Sequence, residues 1–185
     1  PPRLSHALRH AKVLDAMYAA DDIFAKRNNP IIVSQVQKII ENEAPISKTL
    51  LGKKIISEWG VNRVGPRIDA QLEIIFDTLH LYRIEHDGLI FCWKDEAQYR
   101  SYSEYRPDSD RDAADLPPEE IANAIRQLLT DSISLPAADL IKACAQLFGF
   151  ARMGSNIDAA MQRGIREAVK RNYAKIENER VTIAN

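Results

Sequence analysis

The sequence predicts a mainly α-helical protein with small β-hairpins, a tandem winged-helix (helix-turn-helix) repeat preceded by an extra N-terminal helix. Three observations predict it. The segment WGVNRVGPRIDA at Trp59–Ala70 recurs as FGFARMGSNIDA at Phe148–Ala159, apolar residues return at helical spacing three times in each copy, and each copy closes on a β-prone run. The offset of 89 residues holds without a gap over residues 31–79, where nine aligned pairs are identical. Average composition would give about three by chance. Elsewhere one apolar residue replaces another, as in Val36/Ile125, Ile39/Leu128, Trp59/Phe148 and Leu72/Met161, which is the trace of a shared core. A period this long does not suit a solenoid unit and reads as one small domain written twice.

Taken in order, residues 4–27 place Leu4, Leu8, Ala11, Leu14, Met17, Tyr18 and Phe24 on one face, an N-terminal helix within residues 1–30 expected to pack on the first copy. Asn28-Asn29-Pro30 closes it. Copy one, residues 31–93, opens with Ile32, Val36, Ile39 and Ile40 on a helix that Pro45 ends. A second helix over about 47–59 carries Leu50, Leu51, Ile55 and Ile56 and stops at Gly60; a third runs from Pro66 to Leu79. Two β-prone runs then flank Asp87-Gly88, a strong short hairpin signal. Copy two, residues 118–185, repeats the order with helices near 118–131, 136–148 and 155–172 and a hairpin through AKIENERVTI. A generic helical bundle with a terminal hairpin in each half is the alternative. Residues 94–117 hold four basic and seven acidic side chains and almost no aliphatic ones, the composition of an acidic, solvated linker.

With 45% hydrophobic and 28% charged residues the chain has the profile of an ordinary globular protein, and its net charge of −1 argues against a polybasic protein that grips nucleic acid by bulk charge. Any basic patch is local. Cys92 and Cys144 form no C-x-x-C pair, which excludes a zinc ribbon or disulfide framework and fits a reducing compartment. No window approaches the roughly 18 apolar residues of a membrane span, and no secretion signal opens the chain, so a cytoplasmic protein without a membrane partner is expected. The start at Pro1-Pro2 without methionine leads us to expect a piece of a longer polypeptide.

The shared motif G-x-x-R-x-G-x-x-I-D-A describes a tight turn between two helices. Gly60 and Gly149 suit the left-handed conformation that ends the second helix, Gly65 and Gly154 let the chain enter the third, and Ser155 with Asp158 suits a capping box. Arg63 and Arg152 are open to two readings: a clamp on Asp69 and Asp158 that fixes the turn, or contact with DNA phosphates beside a helix N-terminus. In a helix-turn-helix the helix after the turn enters the major groove. In copy two that helix carries Arg163, Arg166, Lys170 and Arg171 against Glu167; in copy one it offers Arg67 but also Asp69, Glu73 and Asp77. Copy two is therefore the expected nucleic-acid side, through Arg152, Arg163, Arg166, Lys170 and Arg171, unless the stripe is merely a solvated helix face.

The run ENEAPISKTLLGKKIISEWGVNRVGPRIDAQLE resembles a module of unknown function at the C-terminus of very large bacterial superfamily I helicase proteins that also carry a very-short-patch-repair-type endonuclease domain. Members show a Glu-Ala/Gly-Pro-Ile-His run before the Arg-x-Gly-x-x-Ile turn; here it reads Glu43-Ala44-Pro45-Ile46-Ser47, with serine in place of histidine. Copy two matches through LPPEEIANAI and GFARMGSNI. The resemblance implies the tail of a DNA-processing helicase and nuclease, with DNA (duplex or junction) and the rest of the parent chain as partners.

Catalytic motifs are missing from the sequence. Gly52-Lys53 lacks the upstream glycine of a phosphate-binding loop and falls inside a predicted helix. The acids are too scattered for a metal-dependent nuclease. His6 and His10 are four apart with no further ligand nearby, His80 and His86 flank a hairpin, and Cys144 takes the core position of Ile55. The expected function is a non-catalytic DNA-binding accessory module with no cofactor, metal or small-molecule substrate. A protein-interaction or autoregulatory module of the same helicase protein is the alternative.

Overall fold

The computed structural model describes residues 3–4, 18–108 and 110–184. The chain divides into two compact units, one holding residues 18–100 and the other residues 101–184 with strand β1 (Arg3–Leu4). Among the described residues the protein is mainly helical with small sheets.

In the first unit two 3-10 turns, Ala20–Phe24 and Lys26–Asn28, lead into α1 (Asn29–Glu43), β2 (Ile46–Ser47), α2 (Lys48–Ser57), α3 (Pro66–Thr78), β3 (Tyr82–His86), β4 (Leu89–Trp93) and α4 (Glu96–Ser101). The sheet order is β2-β4-β3, antiparallel, with Cys92 opposite both Ile46 and Arg83. The second unit repeats the plan: β5 (Glu104–Tyr105), then α5 (Pro118–Ser132), β6 (Ser134–Pro136), α6 (Ala137–Leu147), α7 (Ser155–Lys170), β7 (Ala174–Glu177) and β8 (Arg180–Ile183), with sheet order β6-β8-β7. The first strand of each three-stranded sheet escaped sequence reading because two or three residues are too few to show a period. Gly60 and Gly149 end α2 and α6 at φ +69° and +90°, the left-handed conformation their lack of a Cβ favours.

The expected N-terminal helix is corrected where it can be seen. Arg3–Leu4 is extended and pairs in parallel with Glu104–Tyr105, residues 20–28 form 3-10 turns, and residues 5–17 lie outside the described residues. Side-chain bonds divert the backbone from an α-helix: the Asp22 carboxylate accepts from the Ala19 N–H, and the Asn28 amide donates to the Asp22 carbonyl. The segment does pack on the first copy, with Tyr18 against Trp59 at 4.4 Å between ring centroids and Ile23 fully buried.

Both units bury aligned positions with systematically different side chains. Ile55, Ile56, Trp59, Leu72, Ile75, Phe76 and Leu79 of the first unit stand where the second has Cys144, Ala145, Phe148, Met161, Gly164, Ile165 and Ala168. Polar partners change together as well. Trp59 donates its indole N–H to the buried Gln35 carbonyl oxygen at 2.8 Å, and Gln35 in turn donates to the Ile55 carbonyl. In the second unit Phe148 has no N–H to satisfy, and the place of Gln35 is taken by Ala124. Likewise the ion pair of Lys54 with buried Glu43 gives way to Ala143 and Ser132.

The volume missing from the second unit is made up in two ways. Gly164 lets α7 approach α5 so closely that a Cβ there would fall 2.1 Å from Ile121 Cγ2. The second is the segment that composition marks as a solvated linker, which is corrected here. Residues 94–100 fold with the first unit, where Lys94 pairs with Glu41 and Gln98 donates to the Ala44 carbonyl. From Tyr102 onward the segment belongs to the second unit, and Tyr105, Ala113 and Leu116 enter its core. Arg106 and Arg111 are buried beside Glu120 in the first turn of α5. Five hydrogen bonds link their guanidinium groups and the Arg106 backbone N–H to that one carboxylate, at 2.7–3.1 Å. Burial alone would raise the Glu120 pKa, but the two arginine charges and their hydrogen bonds outweigh it and hold it down at about 2.

Candidate nucleic-acid interface

The turn between α6 and α7 and the outward stripe of α7 carry the positions that the sequence singles out. Gly154 is the N-cap of α7, with no side-chain cap, so the capping box expected of Ser155 and Asp158 does not form; Ser155 is already the first helical residue. The first-turn N–H groups and the helix dipole thus face a segment, residues 151–156, that is exposed throughout. Arg152 is exposed within this turn, and Arg166 and Lys170 are exposed four residues apart on α7, hence on one face. Lys170 is 67% exposed and lies 3.9 Å from Glu167, a distance at which solvent leaves the ammonium available.

Two of the expected contact residues sit differently. Arg163 is half-buried on α7. Arg171 is 14% exposed and donates from Nε to Glu167 Oε1 at 2.9 Å, so its guanidinium is committed to the fold. Sequence alone hid this because an (i, i+4) Glu–Arg pair can lie in solvent or be buried, depending on what packs over it.

The Arg–Asp clamp on the turn does not form in either unit. Asp69 pairs with Lys48 at 3.4 Å, and Asp158, Arg63 and Arg152 are exposed. In the first unit the acids of α3 are answered from their own fold: Lys48 pairs with Asp69 and Glu73, and Arg83 with Glu73 and Asp77. The Arg67 guanidinium lies over the Phe24 ring at 3.8 Å. The outward stripe of α3 is left with Ala70, Ile74 and Asp77, and Ile74 is 68% exposed.

The remaining chemistry-bearing residues are structural. Ser47, standing where the resembled family has histidine, is the N-cap of α2 and accepts the Leu50 N–H at 2.9 Å. Gly52-Lys53 lies inside α2, past its N-cap Ser47, and not in a glycine-rich loop. Cys92 and Cys144 are buried, and burial pushes both thiols up to about 12, which removes them as nucleophiles. His6 and His10 lie outside the described residues. The clasp residues Arg106, Arg111 and Glu120 were missed, although the tyrosines at 102 and 105 and Leu116, set among acids, are apolar signals a solvated linker has no use for.

A model of a family described only as a protein of unknown function, DUF3320, matches residues 21–70. The match spans the two 3-10 turns, α1, β2 and α2 of the first unit and the start of α3. No curated protein and no solved structure matches the chain. No helix among the described residues is long and apolar enough to cross a membrane.

Proposed function

We propose that the protein is a non-catalytic nucleic-acid-binding module made of two winged helices, and that the second of them engages DNA. The winged-helix reading is supported by the order helix, strand, helix, helix, hairpin in both units and by the matching sheet orders β2-β4-β3 and β6-β8-β7. The DNA reading is carried by one observation. In the turn and on α7 the second unit exposes Arg152, Arg166 and Lys170, whereas the aligned residues of the first unit are Arg63, Asp77 paired with Arg83, and the partly buried Leu81. A guanidinium at the α7 N-terminus and two cations further along one stripe suit a phosphate backbone. Arg163 forms the half-buried margin of this surface, and Arg171 is not part of it.

The test is fluorescence anisotropy with a labelled duplex across a salt series. Binding through several phosphates gives an affinity that falls with a log–log slope of about −0.9 per phosphate neutralised. Changing Arg152, Arg166 and Lys170 together to alanine is expected to flatten that slope by about 2–3 and to weaken binding at low salt. Unchanged binding would remove the surface.

A second reading is favoured by Ile74. A large aliphatic side chain exposed at the centre of α3 suits protein contact by the first unit, within the helicase context that rests on the resemblance of residues 41–73. Under that reading Ile74→Glu abolishes partner capture while leaving the salt-dependent DNA affinity intact.

A further inference from the structure

The turn that presents Arg152 has a close neighbour that the sequence places 40 residues away, in the acidic segment. The buried clasp of Arg106 and Arg111 on Glu120 anchors the chain two residues before Asp108 and three after it. Asp108, at φ +49°, donates its backbone N–H to the Leu147 carbonyl at the end of α6, at 3.2 Å. Its side chain lies against the turn itself: a Cβ on Gly149 would be 3.7 Å from Asp108 Oδ1. The carboxylate is exposed, and Asp110 and Asp112 in the same loop are exposed too. Gly149 precedes Arg152 by three residues.

We propose that Asp108 is a charge gate on the DNA-facing turn of the second unit, a negative group held against Gly149, three residues before Arg152, that lowers the affinity of the turn for phosphate. This rests on the DNA reading above and names a regulation of that same surface. The physical case is placement. A mobile acid in a solvated linker would be screened and displaced by an approaching phosphate, whereas the clasp and the bond to Leu147 hold this one at the turn. A fixed like charge within a Debye length of a phosphate site raises the cost of each phosphate that docks. Among the described residues the aligned turn of the first unit has no such neighbour: a Cβ on Gly60 would meet nothing within 4 Å.

The experiment uses the full chain and the same labelled duplex, with Asp108→Asn, Asp108→Gly and Asp131→Asn compared with the parent. Asparagine and glycine both accept a positive φ, so each removes the charge without straining the loop. Asp131 is an exposed acid near the opposite end of α5 and controls for net charge. The gate predicts that both Asp108 variants bind about two- to fivefold tighter at low salt, that the gain shrinks as salt rises, and that Asp131→Asn stays within error of the parent. Equal affinity of the parent and both Asp108 variants, with binding still lost in the triple alanine protein, overturns the gate and leaves the DNA reading standing. A gain in Asp131→Asn as large as in the Asp108 variants also overturns it, by reducing the effect to net charge. Absence of binding in every protein overturns both.

Discussion

The two units share an element order and nine identical positions, yet they close their cores by different means. The first fills its interior with its own large side chains, Trp59, Ile75 and Phe76 among them, and satisfies the Trp59 indole with Gln35. The second carries smaller residues where the first has Ile55, Ile56, Trp59, Ile75, Phe76 and Leu79, and makes up the volume by drawing α7 onto α5 at Gly164 and by importing Tyr105, Ala113 and Leu116 from the preceding segment. The lesson is that a duplicated fold conserves the packing problem rather than its solution. When core side chains shrink, either helices approach or another piece of chain fills the gap, because interiors tolerate few voids. The recruited segment then brings charge with it, and in this protein it brings Asp108 to the turn of the second unit alone.

The largest expected effect comes from breaking what is unique to the second unit. Glu120→Ala leaves two buried guanidinium groups without their carboxylate, and is expected to lower the urea stability of that unit by about 3–5 kcal/mol. The same clasp has a pH signature. The Glu120 pKa in the fold, about 2, is below its ordinary value of 4.5, so its contribution is complete above about 4.5 and lost as pH falls from there through 2. An acid titration followed by circular dichroism should therefore show the parent losing stability across that window; an unchanged profile in Glu120→Ala would contradict the assignment.

A second pair of substitutions sharpens the contrast at a single aligned position. Ile75→Ala opens a cavity in the first unit and should cost about 2–5 kcal/mol, whereas Gly164→Ala, which adds a methyl group at the corresponding place, should cost about 1–3 kcal/mol through overpacking against Ile121. Stabilisation by Gly164→Ala in thermal melts, as helix propensity alone would give, would show that α5 and α7 are not pressed together. A smaller effect is expected at the polar bridge of the first unit. Gln35→Ala strands the Trp59 N–H and should cost about 1–3 kcal/mol. Adding Trp59→Phe, which copies the pairing of the second unit, should recover part of that loss in a double-mutant cycle.

The sequence alone determined the six main helices, both hairpins and the left-handed glycines. These follow from local periodicity, helix-stopping prolines and backbone freedom, all of which are written in neighbouring residues. It also marked Arg152 in the turn and Arg163, Arg166, Lys170 and Arg171 on the helix after it, but counting positions from the apolar ones could not tell the exposed Arg166 and Lys170 from the more buried Arg163 and Arg171. Tertiary structure alone decided the rest. Arg171 turns to Glu167 and Lys48 answers the acids of α3 because each pairing depends on which elements meet, and residues far apart in the chain meet only when the core closes. Segment 102–117 went the same way. Its composition reads as solvated, since charge per residue favours water, but a carboxylate placed in the first turn of α5 lets two arginines leave water together, and the tyrosines beside them supply the apolar surface that the smaller core lacks.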